Sequence, residues 1–216
     1  MEIPAFSRKR RCFGFRLIRC HKIPFHTLHL QGMSTEKKLL LSSDALAVTL
    51  NRLCAELIEI HEDFSNTVMI GLQPRGTFLA KRLASLLQSR YKLNPIPLGF
   101  LDSTFFRDDF RRREQPIIAN QTQIDFLVEG KKVIFVDDVL YTGRSVRAAL
   151  DAIHSFGRPE VIELLCLIDR KFTRHLPIQP NYTGRQVEAI RSERVLVNWE
   201  EESGADAVYL IKSKQI

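Results

Sequence analysis

Val133-Ile-Phe-Val-Asp-Asp-Val-Leu-Tyr-Thr-Gly-Arg-Ser145 is the stretch from which the rest of the chain can be read. Its first four residues, apolar and mostly β-branched or aromatic, predict a buried strand. The strand closes on adjacent carboxylates, Asp137 and Asp138, and passes through Val139, Leu140 and Tyr141 to Thr142-Gly143-Arg144-Ser145. Val146, Ala149, Leu150 and Ile153 then fall at helical spacing. A strand that opens through small residues into a helix offers free backbone N–H groups and a positive dipole end, which suits a phosphate. Two neighbouring acids at a buried strand end repel each other, and burial makes the repulsion worse. A polyol or a metal would compensate them, since carboxylates accept hydrogen bonds from ribose hydroxyls. Singly, an Asp pair turns a chain and a Thr caps a helix; the whole composite is far harder to reach by accident.

Outward from this stretch, strand and helix signals alternate. Ser42-Ser43-Asp44 offers an N-cap to a helix through about His61, with Leu46, Leu50, Leu53, Leu57 and Ile60 on one stripe. Thr67 to Gly71 reads as a short buried strand, Thr77 to Arg90 as a helix and Pro95 to Asp102 as a strand. Phe105 to Asn120 is charged and loop-like, and Val161 to Asp169 is a further apolar strand. Strands separated by helices imply an α/β fold, a parallel sheet with helices on both faces. Arg170 to Glu202 is richer in Pro, Gly and Arg. It reads as a small cap, approximately residues 170–202, with a strand at Arg194–Trp199.

A chain of 216 residues suits one α/β domain with a full core. The net charge of +7 is unevenly placed: residues 1–32 carry seven of the 32 basic residues and one of the 25 acids. The body, 33–216, is therefore nearly neutral, and bulk charge gives no argument that it binds nucleic acid. Residues 1–32 are expected to be a disordered basic extension, and three readings stay open. Met33 could be the true start, the arm could touch RNA, or it could be a targeting peptide. Cys12 and Cys20 form no close pair with metal-site spacing. Cys54 and Cys166 fall in predicted core elements, as small hydrophobes. Without a paired cysteine framework or a transmembrane-length apolar run, the expectation is a cytoplasmic protein that does not engage a membrane.

The Val133–Ser145 composite resembles the phosphoribosyl-pyrophosphate loop of the type I phosphoribosyltransferases. Val139-Leu140-Tyr141 narrows the match to the PyrR family, pyrimidine-operon regulators that are also uracil phosphoribosyltransferases. The resemblance spans roughly Ser42 to Leu210. It implies the type I fold with its cap, or hood. It also implies that Asp137 and Asp138 hold the ribose hydroxyls while Thr142-Gly143-Arg144-Ser145 wraps the 5′-phosphate.

Other segments carry the resemblance further. Gly71-Leu-Gln-Pro-Arg-Gly-Thr77 is similar to the family's pyrophosphate loop, which assigns Pro74, Arg75 and Gly76 to the leaving group. Gln73 and Pro74 depart from a basic residue and a Thr common there, and Pro74 removes a backbone donor. Phe106-Arg107-Asp108-Asp109 resembles the mobile loop, with Arg107 on the incoming phosphates. Whether Asp108 and Asp109 meet magnesium or hold the loop is open. Ile168-Asp169-Arg170 and Ser192-Glu193-Arg194-Val195 match the base side, implicating Arg170 and Val195. Lys171 to His175 between them runs one residue longer than the family pattern.

The implied reaction converts phosphoribosyl pyrophosphate and uracil to UMP and pyrophosphate, with Mg²⁺ held mainly through substrate phosphates. The implied partners are a pyrimidine-operon mRNA leader and further copies of the chain, as a homodimer or homotetramer. Two alternatives are an RNA-binding attenuation regulator with weak or no catalysis and a purine-base phosphoribosyltransferase.

Overall fold

The computed structural model describes residues 36–107 and 121–212. The basic segment 1–32 lies outside the described residues, as do Asp108, Asp109 and Arg111 to Arg113. Along the chain the elements are β1 (Glu36–Leu41), α1 (Ser43–His61), β2 (Thr67–Leu72), α2 (Gly76–Tyr91), β3 (Leu98–Leu101) and β4 (Lys132–Leu140). There follow α3 (Arg144–Ile153), β5 (Val161–Lys171), β6 (Tyr182–Glu188), β7 (Glu193–Asn198), α4 (Glu200–Ser203) and β8 (Ala207–Lys212).

Five strands form a parallel sheet in the order β3-β2-β4-β5-β6. The apolar strand Val133 to Val136 sits at its centre, fully buried. Alternate residues of a strand face opposite sides, and each side has its own core. Ile134 and Val136 pack with Leu46, Leu53, Leu57, Leu79 and Leu83 of α1 and α2. Val133 and Phe135 pack with Val146, Ala149 and Ile153 of α3. Helices on both faces therefore follow from the two-residue period of β4 meeting the 3.6-residue period of its neighbours. Ser42 caps α1, its hydroxyl accepting from Ala45 N at 3.3 Å. Ile60, expected on the buried stripe, is 53% exposed. His61 turns inward instead, because partners on β2, β5 and β6 satisfy its ring.

The elements of residues 170–202 fall differently from the cap expected there. Arg170 and Lys171 still belong to β5, and Tyr182–Glu188 is the fifth strand of the main sheet. Within this strand Gly184 is a close-packing site. A Cβ there would fall well inside contact with the Leu167 carbonyl oxygen, so only glycine lets β6 approach. The second, smaller sheet is antiparallel, β1-β8-β7, and draws its strands from both ends of the body. Of these, β7 lies where a strand was expected; β1, mostly exposed, and β8, mostly buried, were not singled out in the sequence.

Candidate active site

The carboxyl ends of the parallel strands converge on one edge, where ligands bind in open α/β sheets. A cavity of about 180 Å³ opens there. It is lined by Arg107, Asp137, Val139, Leu140, Tyr141, Thr142, Gly143, Ser145 and Val146. Gly143 takes φ +88° to turn the strand into α3 and packs against Ile178 and Leu176. A side chain at this backbone conformation would be strained. Thr142 Oγ1 accepts from Arg144 N at 3.4 Å, and Arg107 Nη1 donates to Ser145 Oγ at 2.9 Å. The sequence stretch thus folds into a cup whose rim carries hydroxyls, the N-terminus of α3 and a guanidinium.

Strand alternation sends the two acids to different partners. Asp137 faces the cup, its Oδ1 accepting from Asp138 N at 2.9 Å. Burial, and then the charge of Asp138, push its carboxyl well above the usual range, while Arg107 opposes the rise. Asp138 is also raised by burial, against the nearby Arg75, whose Nε lies 3.5 Å from its Oδ2. Each buried acid is thus faced by one arginine, and neither is satisfied as an ion in water would be.

The turn from β2 into α2 lies beside this pair. Gly76 packs against the β4 backbone: a Cβ on it would press into the Val136 carbonyl oxygen. The Gln73–Pro74 peptide is cis, and Pro74 is exposed. Gln73, one of the departures noted in the sequence, donates through Nε2 to Gln121 O at 2.8 Å and ties the turn to that segment.

Not all the expected residues reach the cup. Asp138, Pro74, Arg75 and Gly76 stand beside it, and Arg144 opens α3 at its rim. Val195 is 8% exposed within the α1–α2 core. Arg170 is 5% exposed; its Nη2 donates to Ile190 O and Glu193 O at 3.1 and 2.9 Å, and its guanidinium lies 4.0 Å above the Tyr141 ring. Two residues went unassigned in the sequence. Val146 lines the cup, and Arg174 donates to Tyr141 O at 2.6 Å while pairing with Asp169. Val146 could have been found as the first apolar residue after the turn; the Arg174 contacts depend on a loop path that no spacing gives.

Residues 40–200 match the model of the phosphoribosyl transferase domain, the class that this fold and this strand-to-helix cup define. The bifunctional protein PyrR of Pelotomaculum thermopropionicum is 39% identical over 183 residues, 85% of this chain and 100% of that protein. That of Microcystis aeruginosa is 43% identical over 173 residues, 80% of this chain and 96% of the relative. The chain belongs to the PyrR family. The hypoxanthine phosphoribosyltransferase of Trypanosoma cruzi in complex with IMP shares the fold at 13% identity, with a TM-score of 0.62 over 82% of this chain and 95% of that one.

Proposed function

We propose that the protein transfers ribose-5-phosphate from phosphoribosyl pyrophosphate to N1 of uracil, releasing UMP and pyrophosphate. The observation that carries this reading is the cup itself, with Asp137 on its wall and Thr142, Gly143 and Ser145 at its rim. The 5′-phosphate sits on the Thr142–Ser145 turn, held by backbone N–H groups and the start of α3. Asp137 and Asp138 hold the 2′- and 3′-hydroxyls. As the bond from C1′ to pyrophosphate breaks, positive charge gathers on the ribose, and the two carboxylates match it. The electron pair leaves with pyrophosphate, received by backbone N–H groups of the Pro74–Gly76 turn. Uracil N1 then bonds to C1′, and its proton passes to the released pyrophosphate. Arg107, beside Ser145 and Asp137, steadies the phosphates, and Arg170, whose guanidinium lies over the Tyr141 ring of the cup, is proposed to face the base, whereas Val195 packs in the core behind it.

The described residues contain no group of three or more His, Cys, Asp or Glu side chains able to hold a metal. Two carboxylates, Asp137 and Asp138, beside a phosphate-binding turn suit Mg²⁺ carried mainly on the oxygens of the substrate. Bound there, it would neutralise charge on the departing pyrophosphate.

The body, residues 33–216, is proposed as the catalytic unit. The buried free thiols of Cys54 and Cys166 support a reducing, cytoplasmic setting. No helix among the described residues is long and apolar enough to cross a membrane.

The test is a nucleobase panel with phosphoribosyl pyrophosphate and Mg²⁺, measuring nucleotide formed. UMP from uracil alone is expected. Nucleotide from hypoxanthine or guanine instead establishes the purine alternative, and none with any base leaves a regulator without catalysis.

A second activity, UMP-dependent binding of a pyrimidine-operon mRNA leader, is favoured by the name bifunctional that its relatives carry. Linkage requires UMP and RNA to strengthen each other's binding, which leader titrations with and without UMP at fixed salt will read. Three arginines of the body bond within the chain and are not free to form an RNA surface. Arg52 donates to Thr183 O and Gly184 O, Arg82 to Glu201 and Asp206, and Arg185 to Leu40 O. Assembly as a homodimer or homotetramer, implied by the family resemblance, is read by sedimentation of the same samples.

A further inference from the structure

Arg75 stands in the pyrophosphate turn, yet its side chain is engaged elsewhere. Nη2 donates to the Val197 carbonyl oxygen in β7 at 2.6 Å and lies 3.6 Å from Glu202 Oε2. Nε lies 3.5 Å from Asp138 Oδ2 and, though buried, makes no hydrogen bond. One guanidinium therefore joins the turn after β2, the acid at the end of β4 and the second sheet. Its backbone is equally constrained, because Gly76 packs against the β4 backbone at Val136 and Asp137.

We propose that Arg75 is a positioning residue for the transfer: its side chain aims Asp138 at the ribose and ties that acid to the second sheet, leaving the turn's backbone N–H groups to receive pyrophosphate. This rests on the reading of Asp138 as a ribose-binding acid. The guanidinium is a rigid planar fork, so its several contacts are made or lost together. Swinging it out to a phosphate would forfeit the Val197 bond and leave Asp138 buried beside Asp137 without its neighbouring cation. The unpartnered Nε has a physical sense here. A 3.5 Å approach to Asp138 can shorten when the acid shifts towards a bound ribose, which makes the contact stronger in the reacting state than in the free protein.

The experiment is a double-mutant cycle on the full chain, Arg75→Met with Asp138→Asn, with uracil saturating and phosphoribosyl pyrophosphate varied. Arg75→Met is expected to lower kcat about tenfold or more, with KM for phosphoribosyl pyrophosphate changed by less than about threefold. In the Asp138→Asn background the same change should cost less than about twofold, because a residue that acts through another loses its effect when that partner is gone. Arg75→Lys should recover part of kcat. The proposal is overturned if the two losses multiply independently. It is also overturned if Arg75→Met keeps kcat while raising KM and weakening pyrophosphate inhibition, as for a direct ligand. If Arg75→Met does not fold, Arg75→Lys, which keeps the charge but is too narrow to bridge Val197 and Asp138, enters the same cycle with the same two outcomes. A wild-type protein that forms no nucleotide from any base fails the transferase reading first and takes this inference with it.

Discussion

Two buried polar clusters sit at opposite ends of the parallel sheet, and they are built to opposite rules. At the amino end His61 Nε2 meets Glu163 at 3.0 Å and the Tyr182 hydroxyl at 2.9 Å, Nδ1 meets Thr67 at 3.2 Å, and Tyr182 donates to Glu163 at 2.6 Å. With Nε2 protonated, the ring donates to the carboxylate and accepts from the Thr67 hydroxyl, so both ring nitrogens are used. At the carboxyl end Asp137 and Asp138 are buried beside each other, both pushed up, and Arg75 Nε lacks a hydrogen bond. Satisfied buried polar groups fix a fold, and unsatisfied ones cost stability unless a ligand completes them. The amino end is thus built as a closed structural cluster, and the carboxyl end is the one the proposed reaction uses.

The sharpest way to break this comparison is to remove the charge at the carboxyl end. Asp137→Asn with Asp138→Asn should lower turnover about 10³-fold or more, as losing transition-state contacts to the ribose does. Thermal stability should hold or rise, because two like charges leave a buried place. Near-normal turnover in a folded double variant would defeat the assignment. At the amino end the signs invert. His61→Ala should cost about 2–4 kcal/mol by removing a buried donor to Glu163 and leaving the Thr67 hydroxyl without its ring partner, read by denaturant unfolding, with kcat nearly unchanged.

The pH dependence separates the same two ends. Burial holds His61 below its ordinary value despite Glu163, so the unfolded chain takes up a proton near pH 6.5 that the folded one resists. Stability from this group is present above about pH 6.5 and lost as pH falls; the slope should flatten in His61→Gln. The raised carboxyls act the other way. Their contribution is full below the ordinary value of 3.8 and is lost as pH rises through their folded values. The acid pair variant should therefore show less loss of melting temperature on going from acid to neutral pH.

Smaller effects sharpen the boundary of the site. Gly76→Ala should cost about 1–3 kcal/mol as its methyl group displaces α2 from β4, and activity should fall because the pyrophosphate turn moves with it. The smallest effect is expected where neither end is touched. A protein started at Met33 should match the full chain in turnover and melting temperature, and loss of folded protein would show that residues 1–32 are needed.

The central strand, its turn into α3 and the succession of helices and strands from α1 to β5 were legible from local patterns, but not the order in which the strands pair. Val133 to Val136, the acids and the Thr142–Ser145 turn act within one continuous stretch, where a period of two gives way to one of 3.6. The burial of Cys54 and Cys166 followed from the elements around them. What sequence alone did not give depends on contacts between distant segments. Sheet β1-β8-β7 pairs Glu36 with Lys212, and β1, exposed over most of its length, gives no apolar alternation by which to announce itself. Nothing local to Gly184 tells that the Leu167 carbonyl will lie against it. Asp137 and Asp138 are neighbours in the chain, but the pleat parts them, one to Arg107 and the cup, the other to Arg75 and β7. Sequence determined which chemistry is present because that chemistry is local. Tertiary structure decided which arginine serves which acid, because charge acts through space and not along the chain.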